Sequence, residues 1–357
     1  MSRSSDPVSS NPVTSEHGRS AAADVSPWGD MRQVLHARVL AALPQQHKHP
    51  EINDFYAHIR NYPERGGKGL RGQLVLLSAA LHGGQWQGAV EVAAALELFQ
   101  NWVLVHDDIE DDSEERRGQP ALHVQIGMPP ALNVGDALHV YMWQLLHAQH
   151  HLPRFQEILQ TFGWMIQRTA EGQHLDLSWV SQGRFDVSEG EYFEMVTRKT
   201  AYYTVVAPLQ LGALCAGVTP DERMIEAGKA LGVAFQIRDD VLNLMPDISY
   251  GKEFAGDLYE AKRTLILAHT FAGCTSEEHE TLCRRLAKAR SAKTDEDIAA
   301  ILGLIDKYGS LEHAQQVAER YAATGLQQLH DITHHLPNQA AAAVLFNLVE
   351  SLASRRT

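Results

Sequence analysis

Asp107, Asp108 and Asp111 stand in the run HDDIED, and Asp239 and Asp240 stand in FQIRDDVLN. On a helix, positions four apart share a face at roughly 6 Å, so Asp107 and Asp111 bring like charges together. Such a pair needs a counter-charge, and a hard, oxygen-seeking cation such as Mg²⁺ supplies one. A single acidic cluster of this kind is also what a solvated helix end looks like. The second cluster lies among apolar residues, which places it beside a cleft rather than on an open surface. Two acidic patches facing each other across a bundle could hold several Mg²⁺ ions around a diphosphate, because bundle cores commonly house metal sites.

Basic residues gather near both features. Lys68 and Arg71 follow a glycine pair, and Arg116 and Arg117 follow the first acidic cluster. Arg presents planar paired donors to phosphate oxygens, Lys a compact charge, and glycines let backbone N–H groups approach an anion. Taken alone, Arg116 and Arg117 are explained as well by pairing with Glu114 and Glu115.

The elements that must position these groups read as helices. The 357 residues are 44% hydrophobic but only 7% aromatic, and strand signals are few. Ala, Leu, Glu and Gln recur at helical spacing, which favours a mostly α-helical protein. Ser26-Pro27 starts the first periodic stretch, 28–43, and Pro44 stops it. Further helices are expected over 51–60, 70–81, 131–149, 153–173, 189–217, 221–244 and 258–271, then on to residue 352. Between them Val92, Leu96, Phe99 and Val103 mark the buried stripe of a long helix whose last turns carry the first acidic cluster. Gly66, Gly67 and Gly69 form a turn ahead of helix 70–81. No Pro/Gly-rich linker interrupts 28–352, and there is no fixed-period repeat. The expectation is an all-α, single-domain bundle of ten or more helices around a central cavity, spanning 28–357, behind a disordered tail, 1–27.

The net charge of −13 argues against general nucleic-acid binding, which needs an excess of Lys and Arg, but leaves room for a metal-held diphosphate. Cys215, Cys274 and Cys283 have no metal-ligand spacing and read as free buried thiols, which suits a cytoplasmic protein. No signal peptide is visible. The uncharged stretch 201–218 is interrupted by Thr204, Pro208 and Gln210 and reads as a buried helix rather than a membrane span.

In order and spacing, GGKGLRG, LVHDDIEDDSEERRGQPALH, EGQHLDL, RKTAYYT and FQIRDDVLNLMPDISYGKEFAGDLYEAKRTL resemble the trans-polyprenyl diphosphate synthase family, over about 65–265. DDxxD alone also occurs in terpene cyclases; the conjunction of paired acidic motifs with these basic elements is what is specific. The resemblance implies a prenyltransferase that joins isopentenyl diphosphate head-to-tail to an allylic diphosphate. It implies that Asp107, Asp111 and Asp239 ligate two or three Mg²⁺ ions, with Asp108 and Asp240 supporting them or binding through water. By the same resemblance Arg116, Lys199 and Lys252 hold the allylic diphosphate, and Lys68, Arg71, Gln100 and Arg117 receive isopentenyl diphosphate. Gln173, Asp176, Thr200 and Gln236 form a polar wall beside the reacting carbons, and Lys262 is an outer base of the second acidic motif. A homodimer is implied as well.

Three positions depart from the family pattern: Gly69 where Arg is common, Gly72 where Pro is common, and Asn243 in place of the last Asp of the second motif. Asn243 loses a charge but keeps an oxygen. The Gly69 change bears on how tightly isopentenyl diphosphate is held.

Mg²⁺ and the bases would stabilise charge building on the departing diphosphate, leaving an allylic cation for the double bond of isopentenyl diphosphate to attack. The proton then lost goes to the released diphosphate, since His106, the nearest histidine, reads as a packing or hydrogen-bonding group. Trp102, five residues and about 7.5 Å before Asp107 along the axis, is expected to floor the chain pocket. In the resembled family a bulky group there, with a small or medium one at Val103, marks short-chain enzymes, so geranylgeranyl diphosphate is expected first and farnesyl diphosphate second. The competing readings are a terpene cyclase, opposed by Lys68, Arg71 and Arg117, and a non-catalytic partner subunit, opposed by Asp107, Asp111 and Asp239. A phosphohydrolase is opposed by the lack of further His/Asp ligand spacing.

Overall fold

Helix follows helix wherever the 3.6-residue apolar period persists. A computed structural model describes residues 28–245 and 254–353, so Lys252 and the expected tail lie outside the described residues. The helices are α1 Met31–Ala41, α2 Pro50–Glu64, α3 Leu70–Leu81, α4 Val90–Glu110, α5 Leu122–Ile126, α6 Met128–His147, α7 Phe155–Ser181 and α8 Glu189–Val196. They continue as α9 Ala207–Cys215, α10 Arg223–Asn243, α11 Gly256–Tyr259, α12 Leu265–Gly273, α13 Ser276–Leu286, α14 Asp295–Lys307, α15 Ser310–Thr333 and α16 Gln339–Ala353. Among the described residues the only sheet is the hairpin of β1, Glu115–Arg116, and β2, Gln119–Pro120. The architecture is all-α, as the periodicity predicts.

α4 is the element that matters most. Its apolar side, Val92, Leu96 and Phe99, is buried, and it packs on α3 and α6. α10 packs on α15 and on the chain that follows α8. Tyr192, Ile237, Val241, Leu258, Leu265, Ile301 and Val317 belong to one buried apolar cluster that joins α8, α10, α11, α12, α14 and α15.

The stretch expected as one helix over 189–217 has three parts. Ser188 and Glu191 make a capping box at the start of α8. The chain then widens into a π-helix, Thr197–Val206, before α9. Gly172 on α7 lets this segment come close, since a Cβ there would sit 2.2 Å from the Lys199 nitrogen. π insertions shift side chains out of helical register and are frequent at functional sites, and this one carries Lys199 and Thr200. Pro208 falls in the first turn of α9, directly after the π segment. The expected helix 258–271 is likewise broken, into α11 and α12.

Most of 201–214 is buried. Among the described residues one helical stretch, Trp86–Glu110, is long and apolar enough to cross a membrane by length and composition, but 67% of its apolar window is buried in the protein. Cys215, Cys274 and Cys283 are free, as expected, but partly exposed rather than buried.

Candidate functional site

The helices enclose a cavity of about 770 Å³ with a basic end and an acidic end. At the basic end, Gly66 and Gly69 take left-handed φ of 73° and 58° and turn the chain so that Lys68 and Arg71 line the wall. A side chain at position 69 would carry backbone strain that glycine avoids. The Arg71 guanidinium lies 4.4 Å over the Tyr203 ring and donates to Thr204 at 2.9 Å. Arg117 donates to the Tyr62 carbonyl at 2.7 Å, and Gln100 faces the same space. The Gly72 N–H donates to Glu97 at 2.8 Å, a bond that proline could not make. A Cβ at Gly72 would meet Leu35 at 2.4 Å, so glycine fits the space at this departure from the family pattern.

At the acidic end, Asp107 from α4 and Asp239 and Asp240 from α10 line the same cavity, joined by Asp176 and Asp257. Lys199 donates to Asp176 at 2.6 Å and lies 3.6 Å from Asp107. Burial works against the Lys199 charge, but Asp176 and Asp107 outweigh it and raise its pKa. Gln173 donates to Glu110 at 2.6 Å and to Asp107 at 3.3 Å. Thr200 donates to Gln236 at 2.8 Å, Gln236 to Asp240 at 2.8 Å, and Tyr192 to Asp240 at 2.7 Å. Burial pushes the Asp240 pKa up, and neighbouring Asp257 pushes it further.

Asn243 does not face the cavity. Its side-chain oxygen accepts the Asp257 N–H at 3.1 Å, so the residue that replaces an aspartate holds another aspartate in place.

Asp111 sits at the end of α4, on an adjoining cavity of about 460 Å³. Lys262 lines both cavities and lies 2.9 Å from Asp111 and 2.7 Å from Glu260. Burial raises the Asp111 pKa; Lys262 opposes the shift and Asp107 adds to it. Among the described residues no three His, Cys, Asp or Glu side chains stand close enough to enclose a metal ion by themselves.

Two expected site residues point elsewhere. Asp108 is fully buried behind the cavity wall, where it accepts from Arg116 Nε at 2.9 Å, from Arg116 Nη2, and from the Tyr62 hydroxyl at 2.5 Å. On α4 Asp108 is turned about 100° from Asp107, and here that direction leads into the protein interior. Asp108 faces Arg116 and Tyr62 rather than the cavity, and it holds Arg116, whose Nη2 lies 3.8 Å from Asp107.

Trp102 stacks on His139 of α6 at 4.1 Å and is not a wall of the cavity. Five residues are about 140° round the helix from Asp107, whereas Val103 and Gln100, four and seven residues back, fall within about 40° of it. Val103, Leu104 and Gln100 line the cavity instead. His106 also turns toward α6, packing on Gly135 and lying 3.7 Å from Asp136.

Tyr62, Glu97, Tyr192, Asp257 and Glu260 were not singled out from sequence. Glu97 had a signal, as the one acid within the apolar run of α4. Tyr62 had none, since its partner Asp108 is 46 residues away.

A family model described as polyprenyl synthetase matches residues 52–305. A geranylgeranyl diphosphate synthase from Sulfolobus acidocaldarius is 35% identical over 275 residues, covering 75% of this chain and 81% of its own. An octaprenyl diphosphate synthase from Escherichia coli is 30% identical over 267 residues, covering 74% and 80%. Among solved structures, a geranylgeranyl pyrophosphate synthase from Corynebacterium glutamicum, complexed with isoprenyl diphosphate and magnesium, superposes with a TM-score of 0.82. It is 27% identical, with 92% of this chain and 99% of that one covered.

Proposed function

The chain belongs to the polyprenyl synthetase family, and we propose that this prenyltransferase joins isopentenyl diphosphate to an allylic diphosphate with Mg²⁺, yielding geranylgeranyl diphosphate. The observation that carries the proposal is that acidic groups from α4 and α10 line one cavity together with Lys68, Arg71, Arg116, Arg117, Lys199 and Lys262. The residues fit Mg²⁺ in a particular way. Mg²⁺ is usually held by one or two carboxylates, waters and substrate phosphates rather than by an all-protein cage. Carboxylates dispersed along the wall, with Asp176 Oδ1 buried and without a hydrogen-bond partner, suit that mode. Asp107, Asp111 and Asp239 would hold two or three ions, with Asp240 behind them. When bound, the metal neutralises charge on the departing diphosphate.

The protein's own groups do the rest. Arg116 and Lys199 bind the allylic diphosphate, to which the family resemblance adds Lys252. Lys68, Arg71, Gln100 and Arg117 orient isopentenyl diphosphate so that its double bond meets the allylic carbon. Thr200, Gln173, Asp176 and Gln236 form the polar wall by the reacting carbons, and Lys262 steadies Asp111. The proton goes to the released diphosphate, as His106 faces away.

Relatives of similar identity bear names with different product lengths, and the cavity wall of this chain sets its own. We assign the narrowing to Val103. Val103→Phe is expected to shorten the main product by at least about one isoprene unit, because the ring enters the pocket on the Asp107 face. Trp102→Ala should leave product length unchanged, and longer products from it would restore Trp102 as the floor.

We further propose one helical domain over 28–357, a cytoplasmic location and a homodimer. The dimer is supported by exposed apolar side chains along α5 and α6: Val124, Met128, Leu132 and Val140. A sedimentation-velocity mass of one chain at micromolar protein would remove it. The function is tested by incubating the purified protein with labelled isopentenyl diphosphate, Mg²⁺ and each of three allylic primers, then sizing the products. Chain growth that EDTA abolishes is expected; no condensation with any primer would favour a non-catalytic partner subunit.

A further inference from the structure

The β1–β2 hairpin turns through Arg117 and Gly118, both left-handed at φ 56° and 71°. Two positive φ values mark the primed two-residue turn of tight hairpins. In this turn Arg116 and Arg117, though adjacent, take separate partners. A non-glycine residue in this region costs about 1–2 kcal/mol, so Arg117 needs something to hold it.

Tyr62 touches each part of this arrangement. Its carbonyl accepts from Arg117. Its hydroxyl donates to Asp108, the carboxylate that pairs with Arg116, and accepts the Leu122 N–H at 3.0 Å, where α5 begins. The Arg65 guanidinium covers its ring at 4.7 Å and donates to the carbonyls of Arg116 at 2.8 Å and Pro120 at 2.9 Å. Tyr62 is 1% exposed and does not line the cavity, so it reaches substrate only through these groups. Burial and Asp108 together hold its hydroxyl protonated, which keeps it a donor to Asp108.

We propose that Tyr62 is a positioning residue: its hydroxyl fixes Asp108 and thereby aims Arg116 at the allylic diphosphate, while its carbonyl holds Arg117 toward isopentenyl diphosphate. The pairing of each arginine with its substrate rests on the function proposed above.

Tyr62→Phe removes one oxygen and leaves the ring and the carbonyl. The KM for the allylic diphosphate should rise about ten-fold, the KM for isopentenyl diphosphate should stay within about two-fold, and the far-UV spectrum should be unchanged. In an Arg116→Gln background the same change should add less than about two-fold, because the tyrosine acts through the arginine. Arg116→Lys serves in the cycle should Arg116→Gln not fold. Equal effects in both backgrounds, no kinetic change, or both KM values rising together would overturn the inference. If the single Arg116 variant keeps its allylic KM, the assignment of Arg116 is wrong and the inference falls with it, a failure seen without any tyrosine variant.

Discussion

Replacing Asp107 with alanine should lower condensation turnover about a thousand-fold or more while the protein stays folded, since preorganised groups at a developing charge are worth that much. Asp107 stands where α4 meets the acidic end, within 4 Å of both Lys199 and Arg116 and bonded by Gln173. Those bases keep other acids after the change: Lys199 keeps Asp176 and Arg116 keeps Asp108. Stability should therefore shift by no more than about 1 kcal/mol. Asp239→Ala, on the facing helix, should behave the same way. Steady-state rates and denaturant unfolding of both variants check this; near-normal turnover in either would remove that residue from the metal-binding set.

One residue further on, the largest effect should fall on stability. Asp108→Ala strips a buried guanidinium of its carboxylate and leaves the Tyr62 hydroxyl without its acceptor. Breaking a buried pair in this way costs about 3–5 kcal/mol. Arg116 has burial working against its charge, and Asp108 is the chief group that restores it. Asp108→Ala should unfold at markedly lower denaturant than Asp107→Ala. Equal stabilities for the two would mean that Asp108 is not the buried anchor described above.

These neighbouring acids also show what was legible in the sequence. DDxxD marks α4 and places Asp107 and Asp111 near one another, but helix geometry already turns Asp108 away from Asp107, and only its partners reveal why it is needed. Trp102 is the same lesson: distance along the axis is easy to read, but angle around it decides which side chains meet the cavity. Helix 70–81 was fully legible because every turn keeps its apolar face. The π segment was not, since an inserted residue leaves no mark in an apolar run, and the close approach at Gly172 beside it is a contact between helices. The roles of Asn243 and Tyr62 lie in bonds to residues 14 and 46 positions away, beyond any local pattern.

The central claim is that carboxylates from α4 and α10 grip one diphosphate through shared divalent ions. Its most direct measurement is a crystal structure with Mn²⁺ and a non-reactive thio-analogue of an allylic diphosphate, using the anomalous signal of the metal. Peaks bridging the analogue's phosphates to both Asp107 and Asp239 are predicted; metal bound away from these residues, or an analogue seated with no metal between it and them, would contradict the claim.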